Sequence, residues 1–174
     1  MASTALKQVF SFPNPVNEVS ARLVAAGVVI LAAVTIIFDA PWLTVVIAYG
    51  FIARVLSGPT LSPLGQFVTR VATPLLPFQP KLVPGPPKRF AQAVGVVFSV
   101  TAAVLAVGFG QHLAAYIVLG LLIVAATLES VFGLCLGCKA FALLMRAGLI
   151  PAEVCEECNN IWSRIPKPTP LPGS

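Results

Sequence analysis

Long uninterrupted runs of apolar residues dominate this chain, and they predict helices that cross a lipid bilayer. The longest run, 90–128, holds no charged residue over 39 positions. At about 1.5 Å per residue, one helix of that length would reach almost twice across a hydrocarbon core of about 30 Å. The run must therefore fold back at 108–112, where glycines and polar side chains interrupt it. The pattern predicts two spans, 90–108 and 113–131.

Two shorter apolar runs, 23–38 and 40–53, precede the long one. Each is shorter than the usual span of about 20 residues, which also admits a re-entrant hairpin. Two full spans joined by a turn at 39–42 are favoured. The reason is that Arg22 and Arg54 can extend their charged heads to the interface and lengthen each usable segment by a turn.

Composition supports a membrane protein. Of the 174 residues, 57% are hydrophobic and only 10% are charged, whereas soluble domains carry about a quarter charged residues. A water-facing globule of this size could not hide so much apolar surface. This excludes an ordinary cytosolic enzyme, a disordered protein and a small secreted disulfide scaffold. The predicted fold is an all-α integral membrane bundle of four transmembrane helices arranged as two hairpins.

The basic residues predict the orientation of the bundle. All 11 Lys and Arg residues lie outside the short connections 39–42 and 108–112. They therefore fall on one side, which the positive-inside rule makes cytosolic. Both termini are predicted to be cytosolic in a bacterial plasma membrane. The net charge of +5 reflects this topology and attraction to the headgroups of the lipid bilayer, and it gives no reason to expect nucleic acid as a partner.

The segment between the hairpins, 57–89, has structure of its own. Ser62 and Pro63 predict an N-cap and a first helical residue, followed by apolar residues at helical spacing and then by a proline-rich strap. An interfacial amphipathic helix and a linker are favoured over a partner-docking surface. The predicted organisation is a cytosolic N-terminal segment (1–18), hairpin 1 (19–56), the interfacial helix and strap (57–89), hairpin 2 (90–131), a cytosolic helical cap with the cysteines (132–165) and a Pro-rich tail (166–174).

Cysteines carry the only candidate chemistry. They form two Cys-x2-Cys pairs separated by 16 residues, Cys135 with Cys138 and Cys155 with Cys158, a spacing typical of zinc sites. Three interpretations compete, in this order. The first is a structural zinc ion with four cysteine ligands. The second is a dithiol that exchanges electrons or sulfur with a cytosolic thioredoxin-like or sulfurtransferase protein. The third is cysteine as a small buried residue.

A shared zinc ion sets a condition on the backbone. If 129–147 and 151–163 are two helices joined by a turn, the midpoints of the two pairs differ by about 7 Å along the helix axis. Zn–S bonds of about 2.3 Å cannot bridge that offset. The first helix must therefore break at Gly133 or Gly137.

Neighbouring charges distinguish the two cysteine pairs. Glu156 and Glu157 disfavour a thiolate at the second pair, whereas Lys139 favours it at the first. If one pair attacks a partner disulfide, Cys135 and Cys138 are therefore the redox candidates.

Other polar residues carry weaker signals. Glu129, at the end of the fourth span, pairs with Arg89 or Arg54, or lies as a charge at the membrane surface, which is favoured. His112 has no carboxylate or cysteine beside it in the sequence and is predicted to be interfacial. No span carries a charged residue in its middle, which counts against a transporter.

Four motifs add a family resemblance: Phe12-Pro13-Asn14-Pro15, Gly58-Pro59-x-x-Ser62-Pro63-Leu64-Gly65, Pro86-Pro87-Lys88-Arg89-Phe90-Ala91 and Phe132-Gly133-x-Cys135-Leu136-Gly137-Cys138-Lys139. Together they resemble the bacterial domain of unknown function 4395 proteins, small multi-pass membrane proteins common in actinobacteria. The resemblance implies the same class and topology over about 14–145. The family's genomic company of sulfurtransferase and thioredoxin-like proteins implies a sulfur or redox partner.

Three functions follow from these observations, in order. The first is a non-enzymatic scaffold or adaptor of a membrane complex, whose cytosolic face is organised by four thiols with zinc. The second is a membrane thiol-redox or sulfur-relay protein that uses Cys135 and Cys138. The third is a transporter component. The sequence predicts no enzymatic activity.

Overall fold

The computed structural model describes residues 14–75, 77, 81–151 and 154, and nearly all of its regular structure is α-helical. The helices are α1 (Glu18–Ile37), α2 (Leu43–Ser57), α3 (Pro63–Phe67), α4 (Thr73–Leu75), α5 (Gly85–Ala103), α6 (His112–Phe132) and α7 (Leu136–Arg146), with π-helical segments at Val68–Ala72 and Val104–Gly108. Two short strands, β1 (Val16–Asn17) and β2 (Leu82–Val83), pair antiparallel. Apart from this small pair, the predicted all-α class is confirmed.

Among the described residues, three helices are long and apolar enough to cross a membrane. They are α1, the continuous helix Gly85–Gly108 that begins with α5, and α6, with 20, 24 and 21 residues. Helix α2 is apolar but has only 15 residues, a length of about 22 Å against a hydrocarbon core of about 30 Å. The fourth span stays a prediction.

The helices of one predicted hairpin pack mainly against the helices of the other. The most extensive contacts join α1 to α6 and α2 to α5, and they exceed those between α1 and α2. At the second interface, a Cβ atom on Gly95 would lie 2.2 Å from Cε1 of Phe51. Only a glycine therefore lets the Phe51 ring lie against the α5 backbone. The core contains Val28, Ala32 and Leu119, all almost fully buried.

The segment after α2 forms the predicted short helix. Ser62 caps it, because its side chain accepts a hydrogen bond from Gly65 N at 3.2 Å, and Pro63 occupies the first turn. The helix continues through the π-helical segment into α4. It lies against α1, where Ser20 Oγ and Thr73 Oγ1 are 2.9 Å apart.

The predicted proline strap is wrong at its C-terminal end. Helix α5 begins at Gly85, so Pro86 and Pro87 lie in its first turn, where a missing N–H group leaves no helical hydrogen bond unmade. The residues before the helix are tied to the start of the chain. Gly85 N donates to Asn14 Oδ1 at 2.9 Å, and the β1–β2 pair lies next to it.

Arg22 and Arg54 lie at the same end of the bundle, in the N-terminal part of α1 and the C-terminal part of α2. Arg22 donates to the backbone oxygens of Ser130 and Val131, at 3.0 and 2.7 Å. A basic group at the C-terminus of α6 satisfies carbonyls that no helical N–H reaches.

The prediction that Arg54 extends its head to the interface is wrong. The residue is only 5% exposed, and its guanidinium donates to Gln92 Oε1 at 3.0 Å and Ser62 Oγ at 3.3 Å. These polar groups on α5 and before α3 draw the side chain inward because they satisfy its donors within the protein.

Candidate dithiol site

The first cysteine pair lies where two helices meet at a sharp break. Helix α6 ends at Phe132, and Gly133 follows with a φ of 68°. Glycine adopts this left-handed conformation without a steric penalty, which makes it a common helix terminator. The helix break that a shared zinc ion would require therefore exists, and it lies at Gly133. It separates α6 from α7 and leaves Cys135 just before α7.

Cys135 is the N-cap of α7. Its backbone is extended, with φ −79° and ψ 102°, and its Sγ atom accepts a hydrogen bond from Cys138 N at 3.3 Å. The spacing of three residues puts Cys138 at the helical position whose N–H an N-cap side chain reaches. Both cysteines are free thiols, Cys135 buried and Cys138 half-buried. The Cys-x2-Cys motif thus places two thiols at the N-terminus of α7, one at the N-cap and one in the first turn.

Helix α7 is held in place by close packing on α5. A Cβ atom on Gly137 would lie 2.5 Å from Ala91 Cα, so the two backbones touch. The rings of Phe90 and Phe141 pack with centroids 5.7 Å apart. These contacts fix the position of the dithiol relative to α5.

The two thiols differ in acidity. The pKa of Cys135 is lowered, chiefly because the Cys138 thiol donates a hydrogen bond to it, and the Lys88 charge and the Cys138 backbone N–H act in the same direction. The pKa of Cys138 is raised, because it is the donor in that bond and because it is partly buried. Cys135 is therefore the thiol that ionises first.

Lys88 is the buried cation beside the dithiol. Its Nζ atom lies 2.7 Å from Glu129 Oε1, and the two side chains are 9% and 16% exposed. Glu129 thus forms its ion pair with Lys88 rather than with Arg89 or Arg54, although its charge still acts on Arg54. The favoured surface position is wrong. The cation that lowers the pKa of Cys135 is also Lys88 rather than Lys139, which is exposed.

The sequence pattern does not reveal Lys88 as a site residue, because it follows a run of prolines that is typical of a linker. One signal was present. Lys88 and Gln92 are four residues apart, which places them on one face if the segment is helical. Gln92 is the residue that accepts from the buried Arg54.

A cavity of about 350 Å³ lies beside the two thiols. Its lining includes Glu18, Lys88, Cys135, Cys138, Lys139 and Met145. Both thiols therefore line a cavity rather than a close-packed interior.

The second cysteine pair, Cys155 and Cys158, lies outside the described residues. Within 14–75, 77, 81–151 and 154, no three His, Cys, Asp or Glu side chains come together in a way that could hold a metal ion. The described part of the chain thus offers zinc only two sulfur ligands, and the four-cysteine site stays a prediction.

The opposite end of the bundle holds a small polar cluster. His112 Nδ1 lies 3.5 Å from Asp39 Oδ1, and the Tyr116 hydroxyl donates to the same carboxylate. His112 has no carboxylate beside it in the sequence, but the turn after α1 and the start of α6 meet in space and bring Asp39 next to it. The Tyr116 and His112 contacts lower the pKa of Asp39.

These features define a helical membrane protein with a dithiol at one end of its bundle. The chain belongs to the family described as "Domain of unknown function (DUF4395)", whose model matches residues 16–146. The match covers the described helices and ends at the last residue of α7. No curated protein and no solved structure matches the chain.

Proposed function

We propose that this chain is a multi-pass protein of the bacterial plasma membrane in which Cys135 and Cys138 form a thiol–disulfide couple that faces the cytosol. The observation that carries the proposal is the 3.3 Å hydrogen bond from Cys138 N to Cys135 Sγ at the start of α7. This arrangement favours thiol-redox chemistry over the scaffold hypothesis, because it makes the two thiols unequal without help from the second cysteine pair.

The charge distribution supports the proposed orientation. Arg22, Arg54 and Lys88 lie at the end of the bundle that holds Cys135. The positive-inside rule places that end in the cytosol. Antiparallel packing of α2 on α5 supports α2 as a fourth span, which would bring both chain termini to the cytosolic side.

The chemistry is a two-electron exchange. The Cys135 thiolate attacks a disulfide of the partner, forming a mixed disulfide and releasing one partner thiolate, which takes up a proton. Cys138 then gives up its proton and attacks the Cys135 sulfur, which releases the second partner thiolate to take up that proton. The partner is reduced to a dithiol, and Cys135–Cys138 is oxidised to a disulfide. A raised pKa suits Cys138 to this second step, because it stays protonated until the mixed disulfide has formed.

The proposed partner is a cytosolic thioredoxin-like or sulfurtransferase protein. A thioredoxin-like dithiol would return the Cys135–Cys138 disulfide to the reduced form by the reverse exchange. With a sulfurtransferase that carries a persulfide, the Cys135 thiolate would accept the outer sulfur and the partner would leave as a thiolate. Both reactions use the lowered pKa of Cys135 and the cavity beside it.

Alkylation of the purified full chain tests the proposal. In a Cys155→Ser/Cys158→Ser background, the iodoacetamide reaction of Cys135 is expected to reach half its maximal rate below the ordinary thiol pKa of about 8.5. Cys138→Ala should move that midpoint upward, because it removes the largest cause of the shift. Cys138→Ser should trap a mixed disulfide with oxidised thioredoxin, and Cys135→Ser should not.

Two results would overturn the redox proposal. One zinc ion per wild-type chain, with all four thiols protected from alkylation, would establish the scaffold hypothesis with a structural metal. Inert thiols in a metal-free protein would instead show that Cys135 and Cys138 only pack.

A further inference from the structure

A second cavity, of about 200 Å³, lies between α1, the end of α2, α3 and the start of α5. Its polar lining residues are Asn17, Ser20, Arg54, Thr69, Lys88 and Gln92, and none of the described Asp and Glu residues lines it. Two of the six carry a positive charge, and Asn17, Ser20 and Gln92 can donate hydrogen bonds from an amide or hydroxyl group. The Thr69 hydroxyl already donates to Gly65 O at 2.8 Å. The lining therefore has the chemistry of an anion site.

Charge is not balanced around this cavity. Arg54 and Lys88 are 5% and 7% exposed. In the described part of the chain, Glu129 is bonded to Lys88 at 2.7 Å, whereas no carboxylate lies within 4 Å of the Arg54 guanidinium. Arginine keeps its proton in proteins, so Arg54 stays positively charged. The charge of Glu129 also acts on Arg54, but this carboxylate already pairs with Lys88, so one carboxylate faces two buried cations. Burying a charge that is not fully compensated is unfavourable, and the Arg54 bonds to neutral partners do not neutralise it.

The partners of Arg54 orient it within the cavity wall. Its Nε atom donates to Gln92 Oε1, its Nη1 atom donates to Ser62 Oγ, and its Cζ atom lies 4.5 Å from the centroid of the Phe51 ring. Because the Gln92 oxygen accepts this bond, its NH2 group stays a donor. A preorganised guanidinium is suited to phosphate-like groups, since its planar fork presents parallel N–H donors.

We propose that this cavity binds an oxyanion of the phosphate type, which neutralises Arg54 with help from Lys88 and the neighbouring donors. The volume is several times the roughly 30 Å³ that one water occupies in the liquid, which leaves room for a tetrahedral anion. The anion is either free phosphate or the phosphodiester of an anionic lipid headgroup. The site does not depend on the redox proposal, although Lys88 lines both cavities.

Thermal unfolding of the full chain tests the proposal in two arms. In detergent, inorganic phosphate is titrated against chloride at constant ionic strength. In nanodiscs, phosphatidylglycerol is compared with phosphatidylcholine. A ligand that binds only the folded state raises the midpoint with its concentration. A response to phosphate identifies a free anion, and a response to phosphatidylglycerol alone identifies a lipid headgroup.

Two variants show whether the response belongs to the cavity. Arg54→Lys keeps the charge and the fold but loses the planar fork, so we expect the apparent affinity to fall about tenfold, as for one charge-assisted hydrogen bond. Arg70→Gln removes an exposed cation and should leave the affinity unchanged. No stabilisation in either arm would overturn the proposal. So would equal losses in the two variants, because they would indicate a diffuse surface charge effect.

Discussion

Lys88 Nζ lies 2.7 Å from Glu129 Oε1, which joins the first turn of α5 to the last turn of α6. The two residues are 41 positions apart in the sequence, so only the packing of α5 on α6 brings them together. Lys88 also lines the cavity beside Cys135. One ion pair therefore links the packing of two apolar helices to the acidity of the dithiol.

Lys88→Met tests this link. It leaves the Glu129 carboxylate without its partner, so we expect the free energy of unfolding to fall by about 2–4 kcal/mol. The pKa of Cys135 should rise, because a favourable charge is lost and the unfavourable Glu129 charge remains. Thermal unfolding in detergent and the pH profile of Cys135 alkylation measure the two effects.

Lys139→Met is the matched control, because it removes an exposed lysine from the helix that carries the dithiol. It should change neither quantity appreciably. The double variant Lys88→Met/Glu129→Gln should recover part of the lost stability, since it removes the unpaired charge. A Lys88→Met protein with wild-type stability and an unchanged alkylation profile would contradict the assigned role.

Gly137→Ala should destabilise the protein by about 1–3 kcal/mol, the usual cost of an overpacked contact. The added Cβ would lie 2.5 Å from Ala91 Cα, so α7 must move away from α5. The higher helix propensity of alanine would by itself stabilise α7, by up to about 1 kcal/mol. Gly120→Ala is the control, because nothing lies within 4 Å of its added Cβ and it should be neutral or slightly stabilising. Equal effects of the two substitutions would argue against the α5–α7 contact.

Tyr116→Phe should make stability less dependent on acidic pH. The Tyr116 hydroxyl is the main cause of the lowered pKa of Asp39. A carboxyl group whose folded pKa is depressed adds stability above its unfolded pKa of about 4 and loses it as the pH falls through the folded value. The difference in unfolding midpoint between wild type and Tyr116→Phe should therefore shrink as the pH falls below about 4.

Tyr49→Phe serves as the comparison for this experiment. The Tyr49 hydroxyl donates to the Leu61 backbone oxygen at 3.3 Å, so it has no carboxylate partner. Tyr49→Phe should change the unfolding midpoint by the same amount above and below pH about 4. If Tyr116→Phe behaved in the same way, the Asp39 contact would have no electrostatic role.

Reporter fusions test the proposed topology. A fusion after Trp42 should report the external side, because the 39–42 turn carries no Lys or Arg, and a fusion after Arg164 should report the cytosol. Cells that express each fusion are assayed with reporters active on only one side. A cytosolic signal at Trp42 would reverse the orientation and remove the basis for a cytosolic thiol partner.

Local features predicted correctly are those in which adjacent residues suffice. Ser62 caps α3 as predicted, because an N-cap bond joins residues no more than a few positions apart. The break between α6 and α7 falls at Gly133, which the sequence named only as a condition for a shared zinc ion. The start of α5 was missed for a related reason. Pro86 and Pro87 were interpreted as linker residues although the first helical turn also accepts proline.

The amino-acid sequence by itself determined that the chain is a helical membrane protein and that two thiols lie just beyond its last apolar helix, because backbone polar groups in hydrocarbon must be satisfied within each helix. Tertiary structure alone decided which helices pack together and which charges meet. Lys88 and Glu129 are 41 residues apart, and the burial of Arg54 depends on Gln92 from another helix. No local pattern specifies such contacts, because they form only when the apolar helices pack and exclude water from the charges between them.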